Sequence, residues 1–372
     1  MTVAAAVHGV VGEGFGPVQE RFADLVASGA ETGAGLSVWV DGEAVVQLAG
    51  GWSDVARSRR WEASTLVHTY SASKPFAALA ALTAVRDQLI GLDDPMSQVW
   101  PDYAAHGKGE TTLRHVLSHT AGQPSFPPAS ATTDILDDAA LRVLLADAAP
   151  EHPPGSTIAE HALTYGHLLD GILRAAGAGT LADRFGVVAS ELGIDGFFGV
   201  PNSQLQRVAE LQESRPGWAE AYLASKPQHV RDALARPPGA FDTAVLNSHA
   251  WRQSCFGAIN LHVTAHAVGT FYADLLRPDG RVATLLGAEL HEQVLTPQAQ
   301  GPDLVVGSDV SWGLGPQVDL VDGRVDEVGM GGTGGSAGWV SATEGYACAY
   351  LTRNLGDFER VDAIEAAIKQ CR

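Results

Sequence analysis

A serine and a lysine lie at a spacing that suits nucleophilic catalysis. The chain has four lysines, and only Lys74 has a serine, Ser71, three positions before it. On a helix this spacing places both side chains on one face, within reach of each other. An amine next to a serine hydroxyl can activate it for attack on a carbonyl carbon. The pair therefore predicts a nucleophile at Ser71 with Lys74 as its activating partner.

The segment that follows Ser71 is typical of a buried helix. It reads KPFAALAALTAVRDQL, is apolar almost all round and has Pro75 in its first turn. A serine one turn before a lysine often means only a well-formed helix start, but a lysine on an apolar helix is costly without a function. Unpaired N–H groups and the helix dipole at this end would stabilise an oxyanion and help keep Lys74 neutral. The Ser71 amide is therefore one candidate oxyanion donor.

Strand patterns at both ends of the chain indicate the fold that positions this helix. Apolar and polar residues alternate over residues 35–48 about an Asp41-Gly42 pair, which is typical of a β-hairpin. Residues from about 90 to 240 read as helices and loops, with strand patterns nearly absent. The later part of the chain has a helix pattern, two strand patterns and a final helix pattern: AHAVGTFYADLL, SAGWVSA, YACAYLTR and VDAIEAAIKQC.

We therefore predict an α/β fold of the α+β type. An antiparallel sheet flanked by helices is built from both termini, and a mostly helical domain is inserted between them. The predicted boundaries are 1–70 with 245–372 for the α/β domain, and 71–244 for the helical domain that carries the nucleophile helix at the interface. A ligand site is expected in the cleft between the two domains.

Composition disfavours several classes of partner. The 372 residues are 45% hydrophobic and carry a formal charge of −19, which argues against nucleic acid and anionic lipid. No run of 18 apolar residues occurs, and residues 1–9 lack a basic segment followed by an apolar stretch. We interpret the protein as cytoplasmic and not membrane-bound. The sequence indicates no particular oligomeric state.

No sequence motif calls for a metal or an organic cofactor. The three cysteines are too widely spaced for a zinc site or a disulfide framework. His115 and His119 lack the glutamate of a metalloprotease pair. The glycine-rich segment GMGGTGGSAG lacks the lysine and the strand-to-helix context of a phosphate-binding loop. We expect no cofactor, and a small-molecule ester or amide as the partner.

Residues 67–122 resemble the nucleophile region of the serine β-lactamase and penicillin-binding-protein superfamily, most of all class C β-lactamases and family VIII carboxylesterases. Three segments carry the resemblance, in the family's order and spacing: Ser71-Ala72-Ser73-Lys74, Gly91-Leu92-Asp93-Asp94-Pro95 and Leu117-Ser118-His119-Thr120-Ala121-Gly122. Weaker similarity covers most of the chain. The resemblance implies the same fold and an acyl-enzyme formed on Ser71.

The proton relay departs from the pattern of these families. Their lysine works with a tyrosine that follows a Pro-Gly pair, whereas residues 154–166 place Glu160 where that tyrosine is expected. A carboxylate near Lys74 would hold the lysine charged, so that Lys74 acts electrostatically and Glu160 is the general base, directly or through a water. His161 and Tyr165 are the other candidate bases. In the remaining alternative, Glu160 is a solvated loop residue and Lys74 acts alone.

A second departure concerns the Lys-Thr-Gly or His-x-Gly strand of these families. Residues 330–339 take its place, and no lysine occurs between 226 and 369. Loss of this cation disfavours penicillin or peptidoglycan substrates and favours esters or amides without a free carboxylate. The Thr333 amide is the candidate second oxyanion donor, Gly332 would let backbone approach the substrate, and Trp339 would line an apolar acyl pocket.

The sequence therefore predicts a serine hydrolase that is carboxylesterase-like and acts through a covalent acyl-enzyme on a small ester or amide. A biosynthetic transacylase or amide-forming enzyme is an alternative, because the sequence does not encode which nucleophile releases the acyl group. A catalytically silent ligand-binding homologue is another, since the tyrosine and the cationic strand are both missing. Retention of Ser71 and Lys74 argues against a silent protein.

Overall fold

The computed structural model of the protein describes residues 6–372. The prediction about residues 1–9 therefore lies partly outside the described residues. Within them, the strands are β1 (Val7–Val11), β2 (Gly33–Val40), β3 (Glu43–Gly51), β4 (Val67–His68), β5 (Gly196–Phe197), β6 (Gln212–Glu213), β7 (His262–Val263), β8 (Ala299–Pro302), β9 (Asp309–Trp312), β10 (Gln317–Val321), β11 (Arg324–Gly332), β12 (Ser336–Ser341), β13 (Tyr346–Thr352) and β14 (Asn354–Leu355).

The helices of the same described part are α1 (Gly16–Ser28), α2 (Lys74–Arg86), α3 (Leu113–Leu117), α4 (Asp138–Asp147), α5 (Tyr165–Ala175), α6 (Leu181–Leu192), α7 (Trp218–Ala224), α8 (Gln228–Ala235), α9 (Thr243–Leu246), α10 (His249–Gln253), α11 (Ala265–Leu275), α12 (Arg281–Leu286), α13 (Ala288–Val294) and α14 (Glu359–Gln370). Short 3₁₀ turns join several of them.

The main sheet is antiparallel and combines strands from both ends of the chain. Its order over the described residues is β1-β3-β2-β13-β12-β11-β10-β9-β8. Two small sheets, β14-β6 and β4-β7-β5, accompany it. The predicted fold class is therefore confirmed, with a large antiparallel sheet built from both ends and helices inserted between them.

The β2–β3 hairpin forms at the predicted turn. Asp41 and Gly42 both have positive φ angles, 52° and 79°, as a two-residue turn that matches the strand twist requires. The turn brings Val40 opposite Glu43, and the register then shifts by one residue between Val38 and Trp39. Asp and Gly are favoured at such positions because they adopt this conformation at low cost.

Helices cover both faces of the main sheet. On one face α11 packs against β2, β12 and β13, so closely that a Cβ on Gly338 would lie 2.5 Å from the Tyr272 ring. Alternate residues of β12, among them Trp339, point to the other face and pack in a cluster that includes side chains of α1 and α14. The sheet is thus the middle layer of a three-layer structure.

The long segment between β3 and β8 is mostly helical, and α2 lies in its core. Residues Lys74–Ala84 of α2 are all buried, as its apolar composition indicates, and α2 packs against α5, α6 and α12. Only the two-residue strands β5 and β6 lie between residues 90 and 240 of the described chain. The division at residues 70/71 and 244/245 stays a prediction. None of the helices within residues 6–372 is long and apolar enough to cross a membrane.

Candidate active site

The nucleophile candidate, Ser71, lies in a 3₁₀ turn just before the α-helix, whereas the sequence predicted it at the start of the α-helix itself. This turn, Tyr70–Ser73, runs directly into α2, so the α-helix itself begins at Lys74 and not at Ser71. Tyr70 has a φ of 48°, a left-handed conformation that costs a tyrosine about 1–3 kcal/mol. The Tyr70 hydroxyl donates a hydrogen bond to the Ala240 carbonyl at 3.2 Å, which helps to hold the strained residue. The strain lies immediately before Ser71, where strained backbone is often functional.

A cluster of hydrogen bonds fixes this turn to the segment before β7. The Leu261 carbonyl accepts from both the amide and the hydroxyl of Thr69, at 3.1 and 3.0 Å. The Leu261 amide in turn donates to the Ser73 hydroxyl at 3.0 Å. All three residues are buried, so the turn that presents Ser71 has little freedom to move.

Ser71, Lys74 and Glu160 form a compact triangle. Lys74 Nζ donates to Ser71 Oγ at 2.7 Å, and Ser71 Oγ donates to Glu160 Oε1 at 3.5 Å. Lys74 Nζ also lies 3.0 Å from the same Glu160 oxygen. The serine hydroxyl therefore has a donor on one side and a carboxylate acceptor on the other, which suits loss of its proton toward Glu160.

Two opposing effects act on Lys74. Complete burial lowers its pKa below the ordinary 10.5, because desolvation penalises the ammonium form. The charge and hydrogen bond of Glu160, and the more distant charge of Asp303, raise the pKa and offset part of this. Burial is the largest of these effects, so the net direction is down. A buried ammonium costs less free energy when a carboxylate contacts it than when it has no partner.

The buried carboxylate of Asp303 positions Glu160 through the Glu160 backbone amide. The Glu160 amide donates to Asp303 Oδ1 at 3.0 Å. Asp303 is 2% exposed and also accepts from the amides of Val305 and Val306 and from Trp312 Nε1, at 2.8, 3.0 and 3.1 Å. Four donors on one carboxylate make it a rigid anchor. The loop that carries Glu160 is therefore held against Lys74 by the β8–β9 connection.

The triangle opens into a cavity of about 500 Å³. Ser71 and Glu160 lie in its wall, and the Glu160 side chain is 12% exposed. The rest of the wall comes from α7, α8 and the turn between them, from the β8–β9 connection, from β9, β10 and β11, from the β11–β12 connection and from the segment before α14. These residues are Trp218, Tyr222, Lys226, Val230, Leu234, Val305, Val306, Trp312, Gln317, Met330, Gly331, Thr333, Gly334, Gly356, Asp357 and Phe358. Most of these side chains are apolar. A small molecule with an apolar group fits such a site.

Comparison with known sequences identifies the family. The sequence model of the Beta-lactamase family matches residues 18–371. The chain belongs to the Beta-lactamase family. Esterase/beta-lactamase LipL of Mycobacterium tuberculosis is 28% identical to it over 360 residues, which are 92% of this chain and 83% of LipL.

Solved structures of the family agree with this assignment. A family VIII carboxylesterase matches with a TM-score of 0.84 and 26% identity, covering 99% of this chain and 100% of that one. A penicillin-binding protein homologue from Caulobacter crescentus matches with a TM-score of 0.80 and 29% identity, over 97% of this chain and 99% of the other. The superfamily expected from the sequence is confirmed, and the chain is a serine hydrolase of the Beta-lactamase family.

The two other candidate bases of this Beta-lactamase-family chain are buried and do not line the cavity. The His161 amide donates to His119 Nδ1 at 3.0 Å, and burial lowers the pKa of the His161 imidazole to about 4. Tyr165 is the first residue of α5; burial raises the pKa of its hydroxyl above the ordinary 10, and that hydroxyl has no hydrogen-bond partner among residues 6–372. Of the three candidates, only Glu160 contacts Ser71 and faces the cavity.

The three residues predicted for the site in the glycine-rich segment lie in three different places. Thr333 lies in the cavity wall, in the connection after β11. Gly332 does not line the cavity. A Cβ there would lie 2.1 Å from the Thr69 carbonyl oxygen, so this glycine allows close approach of β11 to the nucleophile turn, and its contact with a substrate stays a prediction. Trp339 lies in a neighbouring cavity, where its Nε1 donates to the Tyr346 hydroxyl at 3.2 Å.

Sequence reasoning missed the residues that α7 and α8 and the β8–β9 connection supply. Trp218, Tyr222, Lys226, Val230 and Leu234 recur every four positions and all face the cavity. They come from two helices, α7 and α8, and from the turn between them, so the spacing alone did not define one helical face. Nothing in the sequence near Asp303 indicates that it holds Glu160, because the two are brought together only by the fold.

Proposed function

We propose that this protein is a carboxylesterase-like hydrolase that cleaves small esters through an acyl-enzyme on Ser71. The observation that supports this most is the triangle of Ser71, Lys74 and Glu160 at the wall of a largely apolar cavity. A serine with an adjacent acceptor and a nearby cation has what nucleophilic acyl transfer needs. No metal or organic cofactor enters the proposed steps.

In this mechanism Glu160 is the general base and Lys74 acts electrostatically. Ser71 Oγ loses its proton to Glu160 as it attacks the ester carbonyl carbon. Lys74 donates to Oγ at 2.7 Å and stabilises the negative charge that develops there. The amides of Ser71 and Thr333 are the proposed donors to the carbonyl oxygen. Water then attacks the acyl-enzyme and releases the acid.

The lining of the cavity favours esters with an apolar acyl group. Apolar side chains such as Val230, Leu234 and Val306 make up much of the wall. The printed names of LipL and of the family VIII carboxylesterase point the same way, since both are esterases. Lys226 is the one basic side chain on the wall among the described residues, and it comes from the α7–α8 connection and not from β11. The basic side chain of this cavity therefore does not take the place of the lysine in a Lys-Thr-Gly strand.

Intact mass spectrometry with a fluorophosphonate probe, combined with turnover of short-chain p-nitrophenyl esters, tests this proposal. Wild type is expected to gain one adduct and to hydrolyse the esters. Ser71→Ala is expected to gain none and to lose about 10⁴-fold or more in kcat, because the nucleophile is removed. The matched control is Ser130→Ala, which removes a buried serine hydroxyl that donates to the Pro127 carbonyl and lies outside the cavity wall, and it should leave labelling and turnover unchanged.

Each outcome separates the proposal from its alternatives. An adduct with slow hydrolysis, accelerated by added alcohols or amines as acyl acceptors, would replace the hydrolase by a transacylase. No adduct and no turnover with the folded wild type would contradict the proposal and indicate a silent binding protein. Retention of the adduct in Ser71→Ala would show that another residue is the nucleophile.

A further inference from the structure

Tyr222 lines the cavity that contains Ser71, and its ring is packed against neighbouring side chains. Its ring stacks on that of Trp218, with ring centroids 5.3 Å apart and ring planes at 13°. The ring centroid of Phe241 lies 5.8 Å from that of Tyr222. The Lys226 ammonium lies 4.8 Å from the ring centroid, over its face. Aromatic rings on two sides and a cation over the face fix the ring orientation. The sequence analysis assigned no role to this tyrosine.

Tyr222 lines the same cavity wall as Ser71, Glu160 and Thr333. Its hydroxyl is close enough to the Thr333 side chain for hydrogen bonding to lower its pKa, and it senses the negative charge of Glu160, which raises the pKa. Burial is the largest effect and raises the pKa above the ordinary 10. The hydroxyl therefore carries its proton at neutral pH and is a hydrogen-bond donor there. Thr333 and Glu160 are the two residues proposed to hold the oxyanion and to accept the proton of Ser71.

We propose that Tyr222 is the general acid that protonates the leaving oxygen of the ester. This inference rests on the proposed function, since it concerns the acylation step at Ser71. It assigns the role to a residue of α7 that lines the cavity together with Thr333. Lys226 and Trp218 are positioning residues in this view, because they contact the ring and not the reacting atoms.

The step balances without any further reactant. Ser71 gives its proton to Glu160 as the bond between Oγ and the carbonyl carbon forms. When the tetrahedral intermediate collapses, the bond between that carbon and the leaving oxygen breaks, and the electron pair stays on the oxygen. Tyr222 donates its hydroxyl proton to this oxygen. Glu160 then returns the proton taken from Ser71 to the tyrosinate, so both residues regain their starting states.

The role predicts a dependence on the leaving group. An aliphatic alkoxide is far more basic than a tyrosinate, so it leaves readily only when it is protonated. A p-nitrophenolate is less basic than a tyrosinate and leaves without help. General acid catalysis is typically worth 10²–10⁴-fold, and it should appear only for the first class of ester.

The test compares Tyr222→Phe with wild type on ethyl butyrate and p-nitrophenyl butyrate, which share one acyl group. We expect kcat/KM for the ethyl ester to fall by about 10²-fold and that for the p-nitrophenyl ester by less than about 10-fold. Tyr272→Phe is the matched control, because it removes a buried tyrosine hydroxyl on α11 that lacks a hydrogen-bond partner within residues 6–372. It should leave both rates unchanged.

Two outcomes for Tyr222→Phe would overturn the inference. An equal fall for both esters would mean that Tyr222 only shapes the cavity, and no fall for either would mean that it is a bystander. If Tyr222→Phe misfolds, as judged by circular dichroism, Thr333→Val replaces it as the second variant and should show the same dependence on the leaving group; equal effects on both esters would again contradict the role. Failure of wild type to hydrolyse even the p-nitrophenyl ester would contradict the proposed function instead.

Discussion

Two adjacent cavities each contain a glutamate, in opposite electrostatic surroundings. They share a wall formed by Gln317, Met330, Gly331 and Phe358. In the first, Glu160 lies 3.0 Å from the fully buried Lys74. In the second, Glu327 lies near Glu365 and Asp319, and the nearby Lys369 is paired at 2.8 Å with Glu365.

The difference shows how one residue type acquires two behaviours. Burial, followed by the charges of Glu365 and Asp319, raises the pKa of Glu327 from 4.5 to about 7. Glu160 instead contacts the Lys74 amine and Ser71 Oγ, and its proposed role as the base rests on these two contacts. A carboxylate beside a cation and a hydroxyl, such as Glu160, is a candidate for proton transfer. A half-buried carboxylate beside other carboxylates, such as Glu327, instead makes the free energy of unfolding depend on pH. Matched Glu→Gln variants of the two cavities should separate the two behaviours.

Glu160→Gln should have the largest effect on activity. The amide keeps the shape but cannot take the proton of Ser71, so kcat for p-nitrophenyl butyrate should fall by about 10²–10⁴-fold. Fluorophosphonate labelling of Ser71 should slow in parallel. Glu327→Gln, the matched variant in the neighbouring cavity, should leave both rates unchanged.

The pH profile of Glu160→Gln distinguishes the base from its alternative. Without the carboxylate, the buried Lys74 loses its main charge partner and its pKa falls further. If full activity survives, and rises with pH as Lys74 becomes neutral, Lys74 is the base and Glu160 is not. That result would also remove the contrast between the two cavities, since neither glutamate would then transfer a proton.

Asp303→Asn should have a smaller effect that acts through Glu160. An asparagine has one acceptor oxygen in place of two, so it cannot accept from all four donors that Asp303 now satisfies. A displaced Glu160 should lower kcat by about 10-fold to 100-fold with little change in KM. Asp303→Asn combined with Glu160→Gln should be no slower than Glu160→Gln alone. Additive losses would show that Asp303 acts by another route, such as its charge on Lys74.

The elements that the sequence could predict are those whose contacts are local in the chain. The β2–β3 hairpin, α2 and the Ser71–Lys74 spacing depend on neighbours in the chain, and residue pattern alone indicated them. The strands β8–β11 were not predicted individually, because β11 reads RVDEVGMGG, which carries three glycines and little alternation. Only its pairing with β10 and β12 defines it as a strand.

The candidate site was predictable to the extent that its residues lie close in sequence or follow a family pattern. Glu160 was found by its position after a Pro-Gly pair, and its role as the base stays a prediction. Asp303 and Tyr222 were missed because their contacts with Glu160 and Thr333 join distant segments. Trp339 was expected near the site for its closeness to Thr333, but the alternation of β12 directs it to the other face of the sheet.

Glu327→Gln should have the smallest effect, and on stability alone. The folded-state pKa of Glu327, about 7, lies above its ordinary 4.5, so between these values the folded protein holds a proton that the unfolded chain releases. The free energy of unfolding therefore decreases as pH rises from about 4.5 to about 7. Because this half-buried side chain is partly screened by water, we expect a contribution of about 1 kcal/mol, or about 1–3 °C in Tm.

Scanning calorimetry of wild type and Glu327→Gln between pH 5 and pH 8 measures this contribution. The two proteins should unfold at similar temperatures near pH 5, where Glu327 is protonated in the folded state. Near pH 8 the variant should have the higher Tm, because it buries no charge beside Glu365 and Asp319. A variant with the lower Tm at pH 8 would mean that ionised Glu327 is stabilised where it lies, and the two glutamates would then not differ in their surroundings.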